Sequence, residues 1–310
     1  MKHLLWLTLF AVLSLTLGSC APKPDQQTAI QERYLFSPDS LLVHIKTLSS
    51  DAFEGRRTGT LGAEKAMNYI IEKYSRLQVL PFTADYQQPF SFTGRGKAYG
   101  GVNILGLIKG TQHPDDYIVI SAHYDHEGIK NNQIYNGADD DASGTAALFA
   151  FAEYFEKHPP KHSVILAAFD AEELGLAGSH HFVANSIVPL NHIKLNINMD
   201  MISRSDTNEL YAVGTAYNDT LKQVISNYKN PEDFTLLMGH DGKDGLQNWT
   251  MSSDHAPFHK KDIPFLYFGV ADHKDYHQPT DDYENIHPEF YKKAVKTVIS
   301  IFSTLDAMRF

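Results

Sequence analysis

The feature that most constrains this chain is a series of short apolar runs without the alternation of a half-exposed strand. VNILGLI begins at Val102, YIVISA precedes His123, SVILAAF precedes Asp170, IKLNINM precedes Asp200, and ELYAV and PFLYFGV follow, from Glu209 and Pro264. Several are rich in β-branched residues, the pattern of strands buried on both faces. Between them lie helical patterns, notably Ser143 to His158 and the segment after Leu174, and a long terminal helix begins near Pro288. Two helices open the domain: Ser37-Pro38-Asp39 precedes LLVHIKTL, and Thr60 precedes a stretch in which Ala63, Met67, Ile70, Ile71, Tyr74 and Leu77 share one face. The order α-α-β-β-α-β-α-β-β-α-β-α predicts an α/β three-layer sandwich, a mostly parallel mixed central sheet with helices on both faces. No internal repeat or low-complexity linker interrupts it, so residues 37–310 read as one domain.

Composition matters at three points. With 43% hydrophobic residues among 310, a mainly disordered state is excluded. A net charge of −10, with no cluster of Lys and Arg, argues against a nucleic-acid partner. The single cysteine, Cys20, leaves His, Asp and Glu as the only residues able to hold a metal. Residues 1–19 carry one Lys and an apolar run, Leu4 to Leu17, too short to span a bilayer, and they read as a signal peptide. Leu17-Gly18-Ser19-Cys20 resembles a bacterial lipobox, so Cys20 is predicted to become the lipidated first residue, followed by a polar tether over residues 20–36. The expected location is the bacterial cell envelope, with membrane contact only through that anchor.

Ligands of such sheets bind beyond the carboxyl ends of the strands. There the sequence places His123-Tyr124-Asp125-His126, then Asp170 with Glu172-Glu173, then Asp200, then a loop with His273, Asp275, Tyr276 and His277. A fifth cluster, Asn136-Gly137-Ala138-Asp139-Asp140-Asp141-Ala142-Ser143-Gly144, opens a helix. Taken singly, the aspartates suit an exposed cap, the glutamates a solvated helix start, and His123 a structural histidine. Taken together they form a set of imidazoles and carboxylates suited to Zn²⁺, and three buried aspartates without a cation would be costly. Other features do not carry chemistry. Gly94 to Gly101 precedes a strand instead of following one, as a dinucleotide loop would. Ser253-Asp254-His255 are adjacent and cannot form a relay, and His180-His181 read as surface or packed residues.

In order, H-x-D, GADDDASG, DAEELGL-x-GS, NMDM, SDH and YH resemble the co-catalytic zinc aminopeptidases of clan MH, metallopeptidase family twenty-eight; Asp51-Ala52-Phe53-Glu54-Gly55-Arg56 is similar to a segment upstream of the core in many members. The resemblance makes residues 37–310 a zinc peptidase domain with two Zn²⁺ per chain and a peptide substrate. It implies that Asp140 bridges, with His123, Asp140 and Asp200 at one zinc and Asp140, Glu173 and His277 at the other. Glu172 is implied as general base, Asp125 as the carboxylate orienting His123, and the Asp140–Asp141 peptide as cis. Gln278 departs from the pattern, which often has a small hydroxyl residue there. The implied reaction is removal of N-terminal residues by a water held between two zinc ions. Three rivals share the fold. A glutaminyl-cyclase-like acyltransferase with one zinc is disfavoured by the complete second ligand set. A binding protein would be expected to have lost ligands. A carboxypeptidase or other peptidase of the clan remains open, because fold and metals do not fix which peptide end is read.

Overall fold

The computed structural model describes residues 35–94 and 96–308. The signal peptide and nearly all of the tether, including Cys20, lie outside the described residues. Leu35 and Phe36, which the sequence assigns to the tether, belong to the folded domain: Phe36 is fully buried and Leu35 packs against the same core.

Among the described residues, eleven strands and seven α-helices follow in chain order. They are α1 (Pro38–Leu48), α2 (Leu61–Arg76), β1 (Leu80–Pro81), β2 (Gln87–Gly94), β3 (Lys97–Ile108), β4 (His113–His123), β5 (Gly128–Lys130) and β6 (Gln133–Tyr135). Then come α3 (Ser143–Lys157), β7 (His162–Phe169), α4 (Ala177–Ala184), β8 (Ile193–Met199), β9 (Glu209–Val213), α5 (Asp219–Asn227), β10 (Thr235–Met238), α6 (Ala256–His259), β11 (Phe265–Gly269) and α7 (Pro288–Asp306). The first two helices start where side-chain acceptors stop the chain: Ser37 Oγ accepts from Ser40 N at 3.2 Å and Thr60 Oγ1 from Ala63 N at 3.4 Å.

The main sheet runs β1-β3-β7-β4-β8-β11-β9-β10, with β2 paired to β3. Its centre, β7-β4-β8-β11, is parallel, while β3-β7 and β11-β9 are antiparallel. The sheet is therefore mixed, with a parallel centre that carries the polar ends and a further parallel pair, β9-β10, at one edge. Strands β1, β2, β5, β6 and β10 are additions to the predicted order. The glycine-containing stretch after Phe92 turns β2 back onto β3, which accounts for its composition without any phosphate-binding role.

Period-two alternation within the buried strands divides them between two cores. Val164, Leu166 and Ala168 of β7 join α1, α2, α3 and α7 on one face; Ile165, Ala167 and Phe169 join Phe182 of α4 and Phe258 of α6 on the other. Phe149 of α3, fully buried, meets the rings of His44 at 4.8 Å and Tyr74 at 5.9 Å, locking α1 and α2 to the helix that leads away from the aspartate cluster. Phe149→Ala should therefore cost about 3–5 kcal/mol of stability, read as a lower urea midpoint with an unchanged m-value.

Candidate metal centre

The parallel register brings the predicted residues to one edge. His123 lies opposite Phe169, so His123 and the Asp170–Glu173 turn leave the sheet side by side. Met199 lies opposite Phe268, which puts Asp200 beside the loop after β11 that carries His277. Past β7 the chain turns through Ala171 at φ 61°, a left-handed conformation held by Asp170 Oδ1, which accepts from Ala171 N at 2.8 Å.

The three consecutive aspartates have three different fates. Asp139 Oδ1 accepts from Ser203 N at 2.7 Å and Ser203 Oγ at 2.8 Å, while its Oδ2 lies 3.0 Å from His273 Nε2. Asp141 Oδ1 accepts from Gly144 N at 2.8 Å and Met201 N at 3.2 Å, and its Oδ2 from His123 N at 3.2 Å. A Cβ on Gly144 would stand 2.3 Å from Met199 O, so only glycine allows this turn. Asp140 differs: among the described residues its carboxylate faces imidazoles alone. Its Oδ1 lies 3.2 Å from His123 Nε2 and its Oδ2 lies 3.1 Å from His277 Nε2.

Asp200 Oδ1 stands 3.5 Å from His123 Nε2, and Glu173 Oε2 stands 3.4 Å from His277 Nε2. Metal–ligand bonds of about 2.0–2.2 Å around a tetrahedral centre place neighbouring ligand atoms about 3.3 Å apart. The four contacts match that spacing, so the side chains fit two divalent ions sharing Asp140. His123, Asp141 and Asp200 also lie within metal-ligand reach of one another. Asp140 is the better ligand of the two aspartates, because backbone N–H groups already occupy both oxygens of Asp141. The Asp140–Asp141 peptide is cis.

The loop bearing His277 is tied to the aspartate turn. Asp281 Oδ1 accepts from Asp139 N at 2.9 Å and its Oδ2 from Asp140 N at 3.0 Å, and Arg204 pairs with Asp275. Asp125 meets the site through both its carbonyl and its carboxylate, which lies 3.6 Å from His123 Nδ1. His123 Nδ1 bonds the Asp125 backbone carbonyl at 3.1 Å, while the Asp125 carboxylate accepts from Glu172 N at 3.0 Å and Thr58 Oγ1 at 3.2 Å. Its carboxylate therefore fixes the Glu172 backbone, and the imidazole rests against both the main-chain oxygen and the carboxylate of Asp125.

The two adjacent glutamates are pushed in opposite directions. Burial, together with the Asp200, Glu173 and Asp254 carboxylates, raises Glu172 well above the usual range against the pull of His123. Burial and Asp140 also act to raise Glu173, but His126 and His277 overcome them and hold it at about 2. Burial opposes ionisation of Asp140 as well, yet His126, His123 and His277 hold it well below the carboxylate range. Such divergence separates a proton carrier from permanent anions.

A cavity of about 210 Å³ opens onto Asp140, Glu172, Asp200 and His277, with Met201, Trp249, Tyr267, Val270 and Tyr276 among its lining. A larger one, about 570 Å³, lies by the amino ends of β8 and β11, lined by Leu190, Lys194, Pro264 and Met308 among others, and contains no ligand cluster. Ser253-Asp254-His255 form no relay: Asn198 Nδ2 donates to Ser253 Oγ, and the His255 ring stacks on Phe265 and Tyr267. His181 stacks on Phe90, away from the site.

Three residues escape the sequence argument. His126 is buried against Glu173 and Asp140. Thr58 joins Asp125 to Asp170. Arg56, fully buried, donates to Leu48 O, Tyr124 O, Asn136 O and Gly137 O. The EGR segment hinted at Arg56, and the strand-end run His123-Tyr124-Asp125-His126 contains His126 without assigning it a role; nothing local marks Thr58.

With this geometry in view, the profile of Peptidase family M28 matches residues 103–302. The chain belongs to that family. It is 33% identical over 205 residues to aminopeptidase YwaD of Bacillus subtilis, covering 62% of this chain and 42% of the relative, so it spans less than half of that protein's length. Its fold is shared with a Zn-dependent exopeptidase of Parabacteroides distasonis (TM-score 0.70, 20% identity, covering 86% of this chain and 98% of the other). It is also shared with the glutaminyl cyclase of Porphyromonas gingivalis (TM-score 0.71, 16% identity, covering 87% and 99%). The match begins after Arg56 and Thr58, which therefore join the family core from outside the matched segment.

Proposed function

We propose that the chain is a zinc aminopeptidase that holds two Zn²⁺ and hydrolyses the N-terminal residue from peptides. The observation that carries this reading is the Asp140 carboxylate, each oxygen facing a different imidazole, with Asp200 and Glu173 completing two ligand sets beside one cavity. Bound there, two zinc ions supply the Lewis acidity that activates water near neutral pH and polarises a peptide carbonyl. Glu172 is left free of ligand duty, with its backbone held by Asp125, to take the proton from water and return it to the leaving amine. The carboxylates around the site favour a substrate that arrives with a positive N-terminus.

The export reading rests on sequence alone: Cys20 is lipidated and residues 1–19 are removed. Among the described residues no helix is long and apolar enough to cross a membrane. Cys20→Ser should shift the protein from the membrane to the soluble fraction, or leave it incompletely processed, with catalysis by the separated domain unchanged; unaltered membrane association would refute the anchor.

Two further measurements check the catalytic reading. Glu172→Gln should keep both zinc ions by metal analysis and lose about 10² to 10⁴ in kcat, whereas Glu173→Gln should lower occupancy of one ion; the opposite pattern would reverse the two roles. Blocking the peptide amine by acetylation should slow cleavage at least about a hundredfold, close to 2.7 kcal/mol of transition-state binding. Equal rates on free and acetylated peptides would leave a zinc hydrolase but not an aminopeptidase, and cyclisation of N-terminal Gln without cleavage would favour an acyltransferase.

A further inference from the structure

We propose that His126 is a fourth protein ligand at the second metal position, joining Asp140, Glu173 and His277, so that the two positions differ in kind. The proposal rests on the two-metal reading above and goes beyond it in assigning unequal coordination.

The His126 ring is fully buried and its position is fixed by the aspartate turn. A Cβ on Gly137 would lie 2.5 Å from both Cγ and Cδ2 of the ring, so the imidazole occupies space that only a glycine leaves open. The same glycine has φ 56°, which favours it on backbone grounds as well. In that position His126 Nδ1 comes to 2.9 Å from Glu173 Oε1 and 3.7 Å from Asp140 Oδ2. Among the described residues neither ring nitrogen has a hydrogen-bond partner, nor does Glu173 Oε1, although all three atoms are buried. Nδ1 and Oε1 are thus close but not aligned for donation.

Unpartnered polar atoms are costly to bury, and three at one point call for an explanation. A ring nitrogen and a carboxylate oxygen that approach without pointing at one another are placed as neighbours in one coordination shell are. Their separations bracket the 3.1–3.5 Å found among the other ligand atoms. With Nδ1 on a metal, Glu173 Oε1 faces the same ion, and only the Nε2 proton stays without an acceptor among the described residues.

At the first position the protein supplies His123, Asp140 and Asp200, because backbone donors hold Asp141. Three protein ligands leave the first position more room for water or a substrate atom than four leave the second, which can share a water only by expanding to five-coordinate. The second position is accordingly the tighter and more slowly exchanging one, and the first is where incoming atoms are accommodated.

The test uses the full mature chain, stripped by a chelator and titrated with Zn²⁺ against a chromophoric competitor, alongside zinc X-ray absorption. Wild type should take up two zinc ions of unequal affinity, with about 1.5 histidines per zinc, from His123, His126 and His277 shared over two ions. His126→Ala and His126→Gln should weaken one site by more than about a hundredfold, beyond the roughly 10- to 100-fold of an indirect partner, and lower the histidine count to about 1.0. The other site should change less than about threefold on the same scale. Two zinc ions with about 1.0 histidine each in the wild type would overturn the proposal even if both variants failed to fold. Unchanged affinities in folded variants would also overturn it. A wild type that takes up no zinc would instead remove the two-metal reading beneath it.

Discussion

Three consecutive carboxylates buried at the edge of a parallel sheet are the constraint on which the rest of the structure depends. Isolated carboxylates cannot be desolvated in a row without strong compensation. The chain resolves this by giving the first aspartate a hydroxyl, a backbone N–H and an imidazole, and the third a set of backbone N–H groups. Asp140 receives no such donors from the described residues and is left facing histidines on two sides. The unmatched carboxylate is what suits this edge, unlike a merely polar loop cluster, to a metal ion.

The surroundings of that edge distribute backbone support in an orderly way. Among the described residues Arg56 makes no ion pair; its guanidinium holds carbonyls from the strand end after His123 and from the turn before Asp140, and its charge lies near Asp140, Asp281, Asp141 and Asp125. A buried guanidinium offering several donors suits this task better than a lysine would. Thr58 carries the same N-terminal segment to Asp125 and Asp170, whose carboxyl is pushed up to about 7 by burial and by Asp125. The segment before β1 thus belongs to the site's support, although it lies outside the matched family core.

The adjacent glutamates show how one turn produces two chemistries. Glu173 points toward His126 and His277 and stays anionic; Glu172, set by Asp125 and surrounded by other carboxylates, is biased toward holding a proton. A single residue step in a loop that begins at a left-handed Ala171 separates them. Their identities are encoded locally, but their environments come from β4, β8 and the β11 loop.

Much of this was legible in the sequence. Non-alternating apolar runs announced the buried strands, Ser37 and Thr60 announced helix starts, and polar residues after strand ends announced the site, because these signals depend on local periodicity and on the rule that ligands meet the carboxyl ends of parallel strands. The family motifs added the two ligand sets. Only the tertiary structure decided how the aspartates divide their work, that the Asp125 carboxylate holds the Glu172 backbone as well as facing His123, and that His126, Thr58 and Arg56 belong to the same assembly. Those outcomes depend on where lone pairs and N–H groups from distant segments meet, and a one-dimensional pattern carries residue types but not the direction in which their hydrogen bonds point.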